Sequence, residues 1–234
     1  MYSVYIPYAQ NGRPVATEFS LEGDDWMAAN TMKDRACSPR KRIIAIAGSN
    51  NRHSQTYRLL HLWLRRMAEL DSTVEYEVLL LRDFHIALCE DCRSCHACGG
   101  CALDQTDDMP LLRRKLLEND IVIFSSPVSH QNMSSIMKNF IDRVDPEPQL
   151  ARLAGRLGFT LTTTTSSGGK FVSDMLWHSQ TSFGIKNIDN FVFRAVCDDE
   201  QIASDTWAKA AVEALHYQAG LSVQVPVAKG SGAV

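Results

Sequence analysis

The sequence predicts a doubly wound α/β domain, a five-stranded parallel sheet with helices on both faces. Three observations carry this reading. Short, continuous apolar runs such as Ile43 to Ala47 and Ile121 to Phe124 have the pattern of strands buried on both faces. Helical periodicity follows each strand, so that strand and helix alternate five times. Three polar loops, 48–56, 125–132 and 164–170, follow apolar strands and so gather at the carboxyl ends of the sheet, where such folds bind ligands.

The elements follow in order. Gly48 ends the first strand, and Leu59, Leu60, Trp63, Leu64 and Met67 mark a helix over 57–70. Thr73 to Leu81 alternates and then turns apolar, as a strand nearer the sheet edge does. Asp107-Asp108-Met109-Pro110 is a helix start with an aspartate cap and an early proline. After Ile121 to Phe124 come a loop over Ser125 to Gln131 and a helix carrying Ile136, Met137, Phe140 and Ile141. A strand over Leu157 to Thr165, a Ser166-Ser167-Gly168-Gly169 turn and a helix over 170–182 follow. A strand over Phe191 to Val196 and a helix over 204–219 complete the body. The core domain spans 41–222. Residues 1–40 form a polar, aromatic-bearing extension and 223–234 a frayed tail.

Composition narrows the function. The chain of 234 residues is 45% hydrophobic with a net charge of -3, which gives no support for nucleic-acid binding. No apolar run has the length of a membrane span, and the first residues lack a signal-peptide layout, so the expected location is cytoplasmic. Five of seven cysteines fall between Cys89 and Cys101, which points to metal or redox chemistry rather than a disulfide framework.

The 48–56 loop is built to hold an anion at a helix N-terminus, with hydroxyls from Ser49, Ser54 and Thr56 and a charge from Arg52. It is neither a Walker loop nor a dinucleotide fingerprint, and suits the single terminal phosphate of a mononucleotide. The plain alternative is an ordinary turn with Ser and Thr as helix caps. Cys89, Cys92, Cys95, Cys98 and Cys101 recur every third residue, short spacings that let one loop supply several thiolates to an iron-sulfur cluster. Zinc uses similar spacings. A thiol run without metal is the third reading, and His96 is a further possible ligand.

Taken together, Gly48-Ser49, the cysteine segment 85–105, Asp107-Asp108-Met109, Ser126-Pro127-Val128 and Met137-Lys138-Asn139-Phe140-Ile141-Asp142-Arg143 resemble the flavodoxin-like NADPH-dependent FMN reductases. Within that family they resemble the iron-sulfur flavoproteins, over residues 42 to about 200. The resemblance implies bound FMN, reduced by NAD(P)H without a separate Rossmann domain, and a homodimer or homotetramer. It implies a phosphate site at Ser49, Asn50, Arg52, Ser54, Gln55 and Thr56. The flavin ring would lie against Pro127, Val128, Ser129, His130 and Asn132, and against Thr165, Ser166, Gly168 and Gly169. Cys89, Cys92, Cys95 and Cys101 match the family's ligand pattern for a [4Fe–4S] cluster, leaving Cys98 extra.

The family usually places a tyrosine and another bulky residue after Pro-Val, where this chain has Ser129 and His130. That implies a smaller, more polar ring environment. Flavin N5 carries the hydride, so no side chain need act as nucleophile. His130 is either a hydrogen-bond donor to the flavin or substrate, or a surface histidine, and His178 is a second candidate for the same pocket. The acceptor is a small molecule or a protein. The alternative function is an electron carrier fed by a ferredoxin-like donor.

Overall fold

The computed structural model describes residues 40–98, 100–144 and 152–223. The expected N-terminal extension lies outside the described residues except for Arg40, and the tail except for Val223. Strands β1 (Lys41–Ala47), β2 (Val74–Leu80), β3 (Ile121–Ser129), β5 (Leu157–Thr164) and β6 (Lys186–Arg194) form a parallel sheet in the order β2-β1-β3-β5-β6. A two-residue strand, β4 (Asn132–Met133), pairs antiparallel with the end of β3. The helices are α1 (Gln55–Leu70), α2 (Ser94–Cys98), α3 (Met109–Glu118), α4 (Ser135–Val144), α5 (Gly169–Ser182) and α6 (Glu200–Val223). Among the described residues no helix is long and apolar enough to cross a membrane.

Alternate residues of each inner strand feed two separate cores, as the pleat requires. Ile43, Ala45 and Ala47 face α1 and α6, where Leu60, Trp63 and Ala211 are buried. Ile44 and Ile46 face α3, α4 and α5, against Leu112, Phe140 and Leu176. Trp63 anchors the first core, edge-on to Phe159 at 5.9 Å and to Phe191 at 4.9 Å between ring centres.

The predicted edge position of the second strand holds: β2 is terminal in the sheet. Three boundaries differ from the reading of the sequence. β3 runs on through Pro127 to Ser129 instead of stopping at Phe124. β1 ends at Ala47, opposite Ser125, so at Ser126 and Pro127 β3 pairs with β5 alone and a proline is tolerated there as at a sheet edge. β6 starts at Lys186 rather than Phe191, because an edge strand accepts the polar Lys186, Asn187, Asp189 and Asn190 that read as loop. α6 starts at Glu200, where the Asp199 carboxylate accepts the amides of Gln201 (2.9 Å) and Ile202 (3.0 Å).

Asp71, just after α1, ties the amino end of β1 to α6. Its carboxylate accepts from Lys41 Nζ (2.5 Å), the Thr73 amide (2.9 Å) and hydroxyl (2.6 Å), and pairs with His216 Nε2 at 2.9 Å. Burial pushes this carboxyl up, but the donors outweigh burial and hold it well below the usual carboxylate range. A carboxyl depressed on folding stabilises above its unfolded value, about pH 3.9, and that contribution fades as pH falls toward the folded value. We therefore expect Asp71→Asn to lose on the order of 2 kcal/mol at pH 7. The gap to the parent protein should narrow below about pH 4. Urea unfolding at pH 7, 4 and 3 measures it, and a gap independent of pH would refute the assignment.

Candidate functional site

β1 and β3 are neighbours, yet the chain leaves β1 for β2 on one side and reaches β3 on the other. That reversal opens a crevice at their carboxyl ends, the switch point at which this strand order holds its ligand. The 48–56 loop leaves β1 there. Gly48 donates its amide to Ser125 O (2.8 Å), and Ser134 Oγ donates to Gly48 O (2.5 Å), welding the loop to β3 and to the start of α4. Ser134 also accepts the Met137 amide (3.3 Å) and gives its own amide to Ser126 Oγ (2.9 Å). Sequence reasoning missed Ser134, although a serine just before an amphipathic helix is a cap signal.

The predicted phosphate-loop residues divide into two groups. Ser54 caps α1 by accepting the Tyr57 amide at 3.2 Å, and the first-turn amides of Gln55 and Thr56 have no intrahelical acceptor. These amides, with the Ser54 hydroxyl, lie at the positive end of a 16-residue helix and could donate to a phosphate. Thr56 and Ser49 turn inward instead. Thr56 Oγ1 lies 2.6 Å from Thr163 Oγ1, strutting the helix start against β5, and buried Ser49 accepts the Asn51 amide at 3.3 Å. Gln55 Nε2 donates to Glu200 of α6 (3.0 Å), and Asn50 O accepts from Arg82 (2.6 Å). Arg52 departs from expectation: its guanidinium bonds Asp83 Oδ1 (2.6 Å) and lines a groove with Arg58 and Tyr76 between α1 and β2. This is a surface pair with the segment after β2.

The second and third loops touch each other. Ser129 pairs with Asn132 and Val128 with Met133, so His130 and Gln131 form a two-residue hairpin turn. Both have positive φ, 48° and 64°, the requirement of a type I′ turn usually met by Asn-Gly. Strain of this kind persists where surrounding structure over-determines it and clusters at functional sites. Gln131 Nε2 donates to Ser167 Oγ (2.7 Å), joining the hairpin to the loop after β5. Gly168 sits at φ 83°, and a Cβ there would lie 2.6 Å from Gln131 Oε1. Pro127 and Val128 are half-buried, whereas Ser129, His130, Asn132, Thr165 and Ser166 are exposed toward the crevice rim. Gly169 is packed against Val192 and Thr164. His178 does not join this group: it is exposed on α5, nine residues or ~13 Å beyond Gly169.

These features fit a flavin mononucleotide. Free amides at a helix N-terminus suit its phosphate, and the half-buried Pro127-Val128 ledge suits one edge of a flat ring.

The cysteine segment is stapled at its base by a buried network. Asp107 accepts the Ala87 amide (3.1 Å), the Met109 amide (3.1 Å) and Arg143 Nη1 (2.7 Å). Arg143 also donates to Ala87 O (2.7 Å), and the two side chains are 1% and 0% exposed. Asn139 adds a bond to Ile86 O (3.1 Å), Asp108 accepts the His85 amide (2.7 Å), and Arg113 bridges Asp104 and Arg143 O. Asp107 therefore supplies the helix-start bond to Met109, and Asp108 holds His85 instead. Just before this base Arg82 and Asp83 join the chain to Asn50 and Arg52 of the 48–56 loop.

Above this base Cys89 and Cys92 are exposed, and Cys95 and Cys101 are half-buried. The hydroxyl and amide of Ser94 bond the Cys92 sulfur (Sγ–Oγ 3.1 Å) and pull its thiol below the usual range. Asp91 and Arg93 on either side have φ of 49° and 58°. The side chains of His96 and Cys98 lie outside the described set. Among the described residues no three metal-ligating side chains converge. The donor chemistry, soft thiols on one short loop, fits an iron-sulfur cluster and zinc alike.

Comparison with known proteins agrees with this architecture. The family described as NADPH-dependent FMN reductase matches residues 41–196, well over half of the chain. An iron-sulfur flavoprotein of Archaeoglobus fulgidus is 32% identical over 127 residues, covering 54% of this chain and 56% of that protein. The chain thus spans about half the length of that curated relative. Among solved structures, RosB with a bound 8-demethyl-8-formylriboflavin-5′-phosphate intermediate aligns with a TM-score of 0.55 at 14% identity, over 83% of this chain and 94% of that one. An FMN-dependent NADH-azoreductase from Bacillus anthracis aligns with a TM-score of 0.54 at 15% identity, over 76% and 100%. At such identities the two structures speak for the fold alone. The chain belongs to the NADPH-dependent FMN reductase family and, within it, is similar to the iron-sulfur flavoproteins.

Proposed function

We propose that the chain is an FMN-dependent NAD(P)H oxidoreductase whose cysteine loop carries a [4Fe–4S] cluster on Cys89, Cys92, Cys95 and Cys101. The observation that carries the reading is the direct bonding of the phosphate loop to the root of the cysteine segment, through Arg52–Asp83 and Arg82–Asn50. It supports a cysteine loop that starts near the crevice expected to hold FMN. Flavin accepts a hydride and releases electrons singly, which an iron-sulfur centre can carry onward to a small-molecule or protein acceptor. In this scheme the chain's residues bind and shield. The α1 amides and Ser54 hold the phosphate, the Pro127–Asn132 hairpin and Thr165–Gly169 border the ring, and the staple fixes the thiol loop. His130, in the positive-φ turn, would offer a hydrogen bond at the ring's edge. Self-association as a dimer or tetramer belongs to the same proposal.

Anaerobically purified protein should contain about four irons per chain, equivalent sulfide and one FMN, and should oxidise NADPH or NADH. Cys95→Ser should lower iron below about one per chain while FMN stays bound, and Cys98→Ser should leave iron unchanged. Full FMN occupancy with no turnover of either nucleotide would reject the enzyme reading. FMN without iron would reject the cluster.

A further inference from the structure

A cleft of about 430 Å³ opens between the amino end of α5 and the edge strand β6. Thr164 and Ser166 close one end, Lys170 and Ser173 line the helix side, and Asn190 and Arg194 line the strand side. Its volume is that of a small-molecule site. Ser166, Lys170, Ser173, Asn190 and Arg194 each carry a donor, the Thr164 hydroxyl already donates to Ser167 O (2.9 Å), and the one acid, Asp174, is held by Lys170 Nζ at 2.7 Å.

Ser173 is the telling residue. It is 1% exposed, and its hydroxyl has no hydrogen-bond partner. A buried hydroxyl left unpaired is costly and calls for a reason. Helical serine and threonine ordinarily bond the carbonyl four residues back. In this same helix Ser179 does so to Met175 (2.8 Å) and Thr181 to Trp177 (3.0 Å). Ser173 does not, and unlike Thr160 and Thr162, also buried without partners, it borders a cleft. α5 is 14 residues long, has no acidic residue in its first turn, and starts from Gly168, which gives no side-chain cap. Its first amides are open to an anion, and the helix dipole favours one. Lys170 and Arg194 add cations whose present partners, Asp174 and Asp198, are surface pairs of little energy and readily exchanged.

We propose that this cleft is an oxyanion subsite, built for the carboxylate or phosphate of a small-molecule electron acceptor. The acceptor role rests on the flavin reading above, because Ser166 and Gly169 belong both to the cleft and to the loop expected beside the ring. The anion site itself does not depend on it.

The test is calorimetric titration of the full FMN-loaded chain, its phosphate loop thereby filled, with inorganic phosphate and separately with acetate. Saturable binding is expected. Ser173→Ala and Arg194→Gln should each weaken it about tenfold, and Arg65→Gln, on the exposed side of α1, should leave it unchanged. The stronger of the two anions identifies the acceptor's group. Should Ser173→Ala fail to fold, the exposed Arg194→Gln carries the test alone. No saturable binding of either anion, or binding indifferent to both variants, overturns the proposal. Flavin absorbance on the same samples separates the two readings. Protein without FMN that still binds phosphate through Arg194 would sink the flavin assignment only.

Discussion

Replacing Arg143 with methionine is expected to cost about 3–5 kcal/mol and to lower the thermal midpoint by roughly 10 °C. The guanidinium is 1% exposed and the Asp107 carboxylate it meets is 0% exposed, so removing one charge strands the other in a dry interior. Burial pushes the Asp107 carboxyl up, yet Arg143 and the amides of Met109 and Ala87 outweigh this and keep it below its ordinary range. Without Arg143 that balance reverses. The double variant Arg143→Met with Asp107→Leu should recover part of the loss, since an apolar pair leaves no orphan charge. Thermal unfolding followed by circular dichroism measures both variants. A midpoint within about 2 °C of the parent for the single variant would show that water reaches the pair.

Gly48→Ala should have the second large effect. A Cβ at this position would lie 2.6 Å from Met137 Cβ and 2.9 Å from Ser125 O, neither the free end of a flexible side chain. Overpacking of this kind costs about 1–3 kcal/mol. The strain falls where β1, β3 and α4 meet beneath the phosphate loop, so FMN affinity should drop at least about tenfold, as expected when a loop's amides lose their aim. Gly100→Ala is the matched control, because nothing lies within 4 Å of a Cβ there. Fluorescence quenching of added FMN reads both. Equal affinity in the two variants would mean that the phosphate does not depend on this junction.

Some of this was legible in the chain because the relevant physics is local. Ile43 to Ala47 and Ile121 to Phe124 declare buried strands by composition alone, and the α1 face declares itself by its period. The staple could not be read in the same way. Asp107 and Asp108 look like cap residues, and the partner that gives Asp107 its role stands 36 positions away in Arg143. The one hint was an arginine three residues after Phe140, on the buried stripe of α4. The hairpin was hidden for another reason: His130-Gln131 carries none of the Asn-Gly signal that marks its turn type. Arg52 was assigned by its charge, and the carboxylate that claims it, Asp83, is remote in sequence.

The staple has a consequence for assembly as well as for strength. Between Ala87 and Asp107 the chain makes a closed circuit, and the entropy of bringing those ends together is spent in folding, not when an ion arrives. In the proposed cluster, once one thiol had captured a metal ion its neighbours would be tethered reagents at high local concentration, and each further bond would form within one molecule. Loosening Arg143 would lengthen that tether. Metal affinity would then fall with every cysteine still in place, and the loss would be felt most in the last ligand to close.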